Sequence, residues 1–387
     1  MARAGLTNME AVIWGEPAAE ALAAEAARLD AHNVFVIASA TLNRRTDEVS
    51  RIAAALGRRF AGLFDGVRPH VPRGDVVRAT LAARDLRADL IVTVGGGSPT
   101  DAAKAVALCL ANRIDDVAAI DALLPARDIQ GRSLPPVIAA PRVPQISIPT
   151  TLSAGEFSAI AGVTNEMTGV KDILRHPGLM PRVVILDPAV ARHTPEDLFL
   201  STGMRAVDHC VEGVCSAEAN PLGDAQALHG LALLAGGMEA VKADPGNLAA
   251  RLDCLLGAWM SMGPLASGVP MGASHGIGYV LGAKYAIPHG HTSCLMLPAV
   301  LEWNAHRTAE RQRRISAILG DERASAAVLV DRLIRRLDLP RGLVAAGIAA
   351  EDFPAIAEAA LATPWVPRNP RPISGVGDLL EILRLAG

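Results

Sequence analysis

IVTVGGGSPTDAAKAVAL, residues 91–108, is the stretch on which the reading of this chain turns. Four apolar or β-branched residues, Ile91 to Val94, run into Gly95, Gly96 and Gly97. A run of helix formers comes next, and the pattern predicts strand, tight loop and helix. Ser98 suits the N-cap, Pro99 the first helical position, and Asp101 the acidic place of a capping box. Three glycines leave no Cβ to block a ligand, and free N–H groups at the positive end of a helix favour a phosphate. One glycine would suffice to turn the chain, so three argue for a ligand rather than a turn alone.

Outward from this motif the chain keeps a strand–helix rhythm. Residues 9–14 and Val34–Ala38 read as strands, with helices over 18–30 and Thr46–Leu56. The second strand ends in Ala38-Ser39-Ala40, without the acid that often meets an adenine ribose, and Arg44 and Arg45 lie close behind. NADP is therefore permitted, although the arginines also read as a solvated helix start. A turn and helix fill residues 64–85. Prolines at 125, 135, 136, 141, 144 and 149 exclude a long helix between Asp121 and Pro149. A strand at Gln145–Ile148 enters PTTLSAGEF, whose Thr150, Thr151 and Ser153 suit either close approach to a ligand or a plain hydroxylated turn. Arg182–Leu186 reads as the last strand. Beyond about residue 190 the segments 196–217, 221–242, 247–266, 297–319, 323–337, 351–361 and 376–386 read as helices. The expectation is an α/β domain over residues 1–190 and an all-α domain over 191–387.

Composition narrows the function. The chain has 387 residues, half of them hydrophobic, and a formal net charge of −3. It has no basic run apart from RQRRIS at Arg311, which sets nucleic acid aside as a partner. No apolar segment reaches membrane length and the N-terminus lacks a leader pattern, so a soluble cytoplasmic chain is expected, with no membrane partner. Five cysteines, at 109, 210, 215, 254 and 294, show no metal-like pairing and read as buried, reduced thiols.

Four motifs in order, GGGSPTDAAKAVAL, PTTLSAGEF, GMRAVDHCVEG and ASHGIGYVLGAKYAIPHGHTSCLMLP, make the chain resemble the iron-containing alcohol dehydrogenase superfamily. The resemblance covers nearly the whole length. It implies an N-terminal dinucleotide-binding domain, a helical C-terminal domain and an active site in the cleft between them, in the architecture shared with dehydroquinate synthase. It implies that Gly95, Gly96, Gly97, Ser98 and Asp101 belong to the NAD(H) or NADP(H) site. Thr150, Thr151 and Ser153 would stand beside the phosphates and ribose, and Lys171 near the nicotinamide ribose. Homodimers are common in the superfamily, and one is expected here.

Metal-binding members offer one Asp and three His. His209, His275 and His289 match the histidine positions, but Arg205 stands at the aspartate position. One helical turn separates Arg205 from His209, so a guanidinium that cannot deprotonate would face the place of a dication. Metal is therefore not expected, although three histidines alone can hold zinc. Tyr279 occupies a position where the metal-dependent enzymes carry a further histidine. The maleylacetate reductases of the family also lack the aspartate and work without metal, though they have asparagine there and keep that histidine. His70 with Pro72, and the short spacing from Thr150-Thr151 to Glu156, look like that branch. The chain thus resembles a divergent relative of the maleylacetate reductases.

Without a metal, hydride transfer to a carbonyl needs another group to stabilise and protonate the developing alkoxide. Arg205 can supply the charge, or grip a substrate carboxylate in a bidentate pair. His209, His275, His289 and Tyr279 are the candidate proton donors, with a histidine favoured. Alternatively, Arg205 forms a helix-surface ion pair with Asp208 or Glu212. The reading is an oxidoreductase of a small carboxylated ketone or enol. A metal-dependent alcohol dehydrogenase and a cofactor-binding protein without catalysis remain as alternatives.

Overall fold

The computed structural model describes residues 5–127 and 133–387. The chain divides into two compact units. One holds Thr7–Thr150 and Gly155–His193; the other holds Thr194–Gly387 with Thr151–Ala154 and, at the start of the described chain, Gly5 and Leu6.

The first unit is built on strands β1 (Ala11–Trp14), β2 (Val34–Ala38), β3 (Phe60–Phe64), β4 (Leu90–Gly95), β5 (Ala126–Arg127), β6 (Ser133–Leu134), β7 (Gln145–Pro149), β8 (Ile160–Asn165), β9 (Val170–Arg175) and β10 (Val183–Leu186). Six of these form one parallel sheet in the order β1-β10-β7-β4-β2-β3. Helices α1 (Ala18–Arg28), α2 (Ala40–Arg45), α3 (Glu48–Leu56), α4 (Arg73–Asp85), α5 (Gly97–Ala111) and α6 (Pro188–Ala191) complete it. The alternation of side chains along a strand distributes the core to two faces. Phe35, Ile37 and Ile91 pack with α4 and α5, whereas Val34, Val36, Leu90, Val92 and Val94 pack with α1 and α3. Both faces are covered, which is why these strands read as continuous apolar runs.

The second unit is helical: α7 (Glu196–Cys215), α8 (Pro221–Ala243), α9 (Leu248–Ser261), α10 (Gly263–Ala266), α11 (Ala273–Tyr285), α12 (His289–Ile318), α13 (Ala326–Arg336), α14 (Phe353–Leu361) and α15 (Val376–Leu385). Local chemistry sets several starts. Asn220, Asn247 and Ser325 each accept a backbone N–H at the head of α8, α9 and α13, and Pro221 occupies the first turn of α8. A core of α11, α12, α14 and α15 residues, among them Ile277, Trp303, Phe353 and Leu383, closes the far side.

Several sequence expectations need correction. Helix α5 begins two residues earlier than expected: Gly96 is its N-cap, no side chain caps it, and Ser98 and Pro99 lie inside the first turn. Asp101 does not close a capping box; its Oδ2 accepts the N–H of Gly162 on β8 at 3.1 Å. The β8–β9 hairpin, the short α2 and helix α11 were not anticipated. Helix α12 starts at His289 rather than 297, with Pro298 inside it and a bend at Thr308. The segment 247–266 is two helices, α9 and α10. All five cysteines are free and buried, as expected. Among the described residues no helix is long and apolar enough to cross a membrane.

Candidate active site

Strand order locates the first part of the site. From β2 the chain adds β3 on one side and then β4 on the other, so connections leave in opposite directions between β2 and β4. In open parallel sheets ligands bind beyond the carboxyl ends of the strands at such a reversal. Here those ends are Ala38-Ser39 and Gly95. Gly95 has φ +151°, and a Cβ there would meet Pro99 Cγ at 3.0 Å and Ser39 Cβ at 3.2 Å, so only glycine brings the chain this tightly into α5. Thr150 N–H donates to the Gly95 carbonyl at 3.0 Å, which sets the start of PTTLS beside the glycine turn.

Behind the turn lies a buried cation that sequence reasoning passed over. Lys104 Nζ donates to the carbonyls of Gly155 (2.6 Å), Ser158 (2.7 Å) and Ile160 (3.0 Å), fastening the segment between β7 and β8 to α5. Burial lowers the Lys104 ammonium to about 8, against the pull of Asp101 and Glu156. Burial likewise raises Glu156 to about 7 and holds Asp101 above the usual carboxylate range, opposed by Lys104 and Lys171. Lys171 on β9 lies across Gly162, where any Cβ would collide with it. Asp101 and Lys171, two of the expected cofactor residues, therefore meet at the head of α5. Only the AAK triplet after Asp101 could have pointed to Lys104, since an ammonium three residues along the helix sits on the same face. Arg44 is engaged by Asp65, Nε to Oδ2 at 3.2 Å.

Thr151–Ala154 packs in the helical unit. Thr151 Oγ1 and Ser153 Oγ are 3.2 Å apart, and Leu152 N–H donates to Thr202 Oγ1 on α7 at 3.0 Å. Three residues further along α7 stands Arg205. Its Nη1 donates to Ser293 Oγ at 3.2 Å and lies 3.8 Å from Asp208 Oδ2. This is its one hydrogen bond among the described residues, although a guanidinium has five N–H donors. The side chain is 16% exposed, and no buried, partnerless nitrogen is left on it. Its remaining donors thus face accessible space. Burial lowers its pKa, opposed by Asp208 and Glu212, but a guanidinium stays charged near neutrality. The ion pair with Asp208 considered from sequence is present, but it is not a surface pair, because Asp208 is fully buried.

Asp208 and Glu212 form the buried acidic side of the site. Oδ2 of Asp208 accepts the hydroxyls of Ser274 (2.8 Å) and Ser293 (2.7 Å), while its Oδ1 has no partner. Glu212 accepts the N–H groups of Gly272 and Ser274 at 2.8 Å each and so caps α11, which has no cap of its own. It also holds Nδ1 of His275 at 2.8 Å. His275 and His209 lie with ring centroids 4.9 Å apart, and His275 Nε2 and His209 Nδ1 are buried without partners. Burial, with Arg205 beside it, drives His275 down to about 3; burial, His275 and Arg205 hold His209 well below the usual histidine range. Both imidazoles are neutral at neutral pH.

The remaining candidates lie on α11 and at the head of α12. Tyr279 is one turn beyond His275 on α11 and half-buried. His289 is exposed at the head of α12, against Gly282. Among the described residues the one set of three potential metal ligands whose donor atoms lie within 4.8 Å of one another is Asp208, Glu212 and His275, not the three histidines. Asp208 and Glu212 were weighed in the sequence only as partners of Arg205; nothing in it signalled their burial.

A parallel sheet with a glycine turn at its reversal point, joined to a helical unit with buried charge, defines a dinucleotide-linked oxidoreductase. Residues 10–188 match the description "Iron-containing alcohol dehydrogenase" and residues 199–386 match "Fe-containing alcohol dehydrogenase family, C-terminal". The chain belongs to the iron-containing alcohol dehydrogenase family and is an NAD(P)-dependent enzyme related to maleylacetate reductases. It is 32% identical to the dehydrogenase FUM7 of Gibberella moniliformis over 97% of this chain and 95% of that one. It is 31% identical to maleylacetate reductase 1 of Cupriavidus pinatubonensis, over 96% of this chain and 93% of that one. The solved maleylacetate reductase of a Rhizobium species, strain MTP-10005, superposes with a TM-score of 0.83 at 28% identity, covering 99% of this chain and 97% of that one.

Proposed function

We propose that the protein is a metal-independent NAD(P)H-dependent reductase of a small carboxylated ketone or enol. The observation that carries the reading is Arg205, a charged guanidinium in a buried setting with one hydrogen bond made and the rest of its donors open. A planar fork of that kind matches a carboxylate, and maleylacetate, which relatives of this chain are named for, is a dicarboxylate.

The residues fit a dinucleotide: the Gly95–Gly97 turn and open N–H groups of α5 suit its phosphates, with Thr150, Asp101 and Lys171 in the same unit. The reduced cofactor supplies a hydride. The protein's part is to hold the substrate's carboxylate on Arg205, place charge opposite the oxygen that becomes an alkoxide, and deliver a proton to that oxygen. His275 commits its Nδ1 to Glu212, so His209 is the better-placed imidazole, donating as a neutral N–H, with Tyr279 as the alternative donor.

The donor set does not suit a dication. Oδ2 of Asp208 and both oxygens of Glu212 are already engaged by serine hydroxyls and backbone N–H groups, which leaves Oδ1 of Asp208 as the one carboxylate oxygen without a partner, and Arg205 places a fixed positive charge 3.8 Å from Asp208. A second reading rests on the partnerless His275 Nε2 and His209 Nδ1, which could ligate a metal with Glu212 orienting His275. Metal analysis of the purified enzyme, with turnover before and after a chelator, separates the two. Less than stoichiometric zinc or iron and unchanged turnover are expected; chelator-sensitive turnover restored by one metal would favour the second reading.

A further inference from the structure

Arg205 cannot orient itself. A long, flexible side chain loses much of its rotamer freedom on binding, and a receptor for a planar anion works best when its plane is fixed beforehand. We propose that Asp208, acting through Ser293, is the positioning device that turns Arg205 into a preformed carboxylate receptor. This inference rests on the reading of Arg205 given above.

The chain of contacts has a defined polarity. The one hydroxyl proton of Ser293 is donated to Asp208 Oδ2 at 2.7 Å, so its oxygen presents a lone pair, and Arg205 Nη1 donates into that lone pair at 3.2 Å. Ser274, fully buried on α11, donates to the same Oδ2 at 2.8 Å and fixes the carboxylate from the other side. Three helices thus meet on one oxygen: Asp208 from α7, Ser274 from α11 and Ser293 from α12. Asp208 lies three residues beyond Arg205 on α7, so its charge also offsets the guanidinium at 3.8 Å without occupying the fork. Gly278 of α11 faces the same Nη1 and leaves it room. One edge of the guanidinium is held, and the other N–H groups stay available for a ligand. Asp208 and Ser293 need not touch the substrate; they act on it through Arg205.

The test is a set of cycles with maleylacetate and its neutral dimethyl ester at saturating reduced cofactor. Ser293→Ala and Asp208→Asn are made singly and in an Arg205→Met background, with thermal melting to verify folding. In the native background each is expected to raise KM for maleylacetate about tenfold, the worth of one charge-assisted hydrogen bond, while kcat, KM for the ester and KM for the cofactor stay within about twofold. In the Arg205→Met background neither should have a further effect on maleylacetate, a result that a merely structural role would not give. Equal losses on acid and ester, effects that persist without Arg205, or no effect at all would overturn the proposal. If Arg205→Met lowers the preference for maleylacetate but Ser293→Ala and Asp208→Asn do not, the positioning proposal alone falls. If Arg205→Met leaves that preference intact, the reading of Arg205 falls and takes this inference with it. Should Asp208→Asn fail to fold, Ser293→Ala, which removes one oxygen, decides the matter.

Discussion

Arg205 and His275 show how strongly a buried neighbourhood can dictate the protonation of a single side chain. His275 is held neutral by burial and by Arg205, down to about 3, while in the unfolded chain it titrates near 6.5. Between those values the unfolded state carries a proton that the folded state does not, so stability falls as pH drops from 6.5 toward 3. Glu156, raised to about 7, works with the opposite sign: between 4.5 and 7 the folded state holds the extra proton, so its contribution declines as pH rises. A His275→Gln variant keeps Glu156 and loses only the first effect. Its urea midpoint is expected to depend less steeply on pH between 3 and 6.5 than that of the parent chain. An unchanged slope would show that His275 is protonated in the folded protein.

Helix α5 and the segment it holds were half legible beforehand. The glycines, the apolar strand before them and the alternation on both sides reveal strand, turn and helix, because these are local preferences of backbone and side chain. The cap assigned to Ser98 was wrong because the turn at Gly95 closes two residues earlier, and Asp101 found a better partner in the β8 backbone. Lys104 was invisible as an anchor, since its three carbonyl partners lie more than 50 residues away. Helix α11 was missed for a related reason: its glycines disfavour a helix locally, and its N-terminus is capped by Glu212 from α7. Lys104→Met would leave three backbone carbonyls without their donor, at a cost of about 1–3 kcal/mol for each one left unsatisfied. Calorimetric titration with NADH and NADPH is expected to show at least tenfold weaker binding, with Arg205-dependent carboxylate recognition retained; unaltered affinity would mean that the anchored segment does not shape the cofactor site.

At the scale of the whole molecule, the sequence announced the two units unequally. The glycine turn after β4 was readable because such turns and parallel strands are written in contiguous residues. The charged end was readable only in outline: Arg205, His209 and His275 stood out, but the burial of Asp208 and Glu212 and the exposure of His289 depend on how α7, α11 and α12 pack. On the proposed reading, that packing yields an enzyme in which a fixed guanidinium selects an anionic substrate. The most direct measurement is the ratio of kcat/KM for maleylacetate to that for its dimethyl ester, in the native enzyme and in Arg205→Met. The native ratio is expected to exceed unity by about 100-fold, from two charge-assisted hydrogen bonds, and to collapse toward unity in the variant through loss of activity on the acid. A ratio that survives the substitution, or equal losses on acid and ester, would contradict the account.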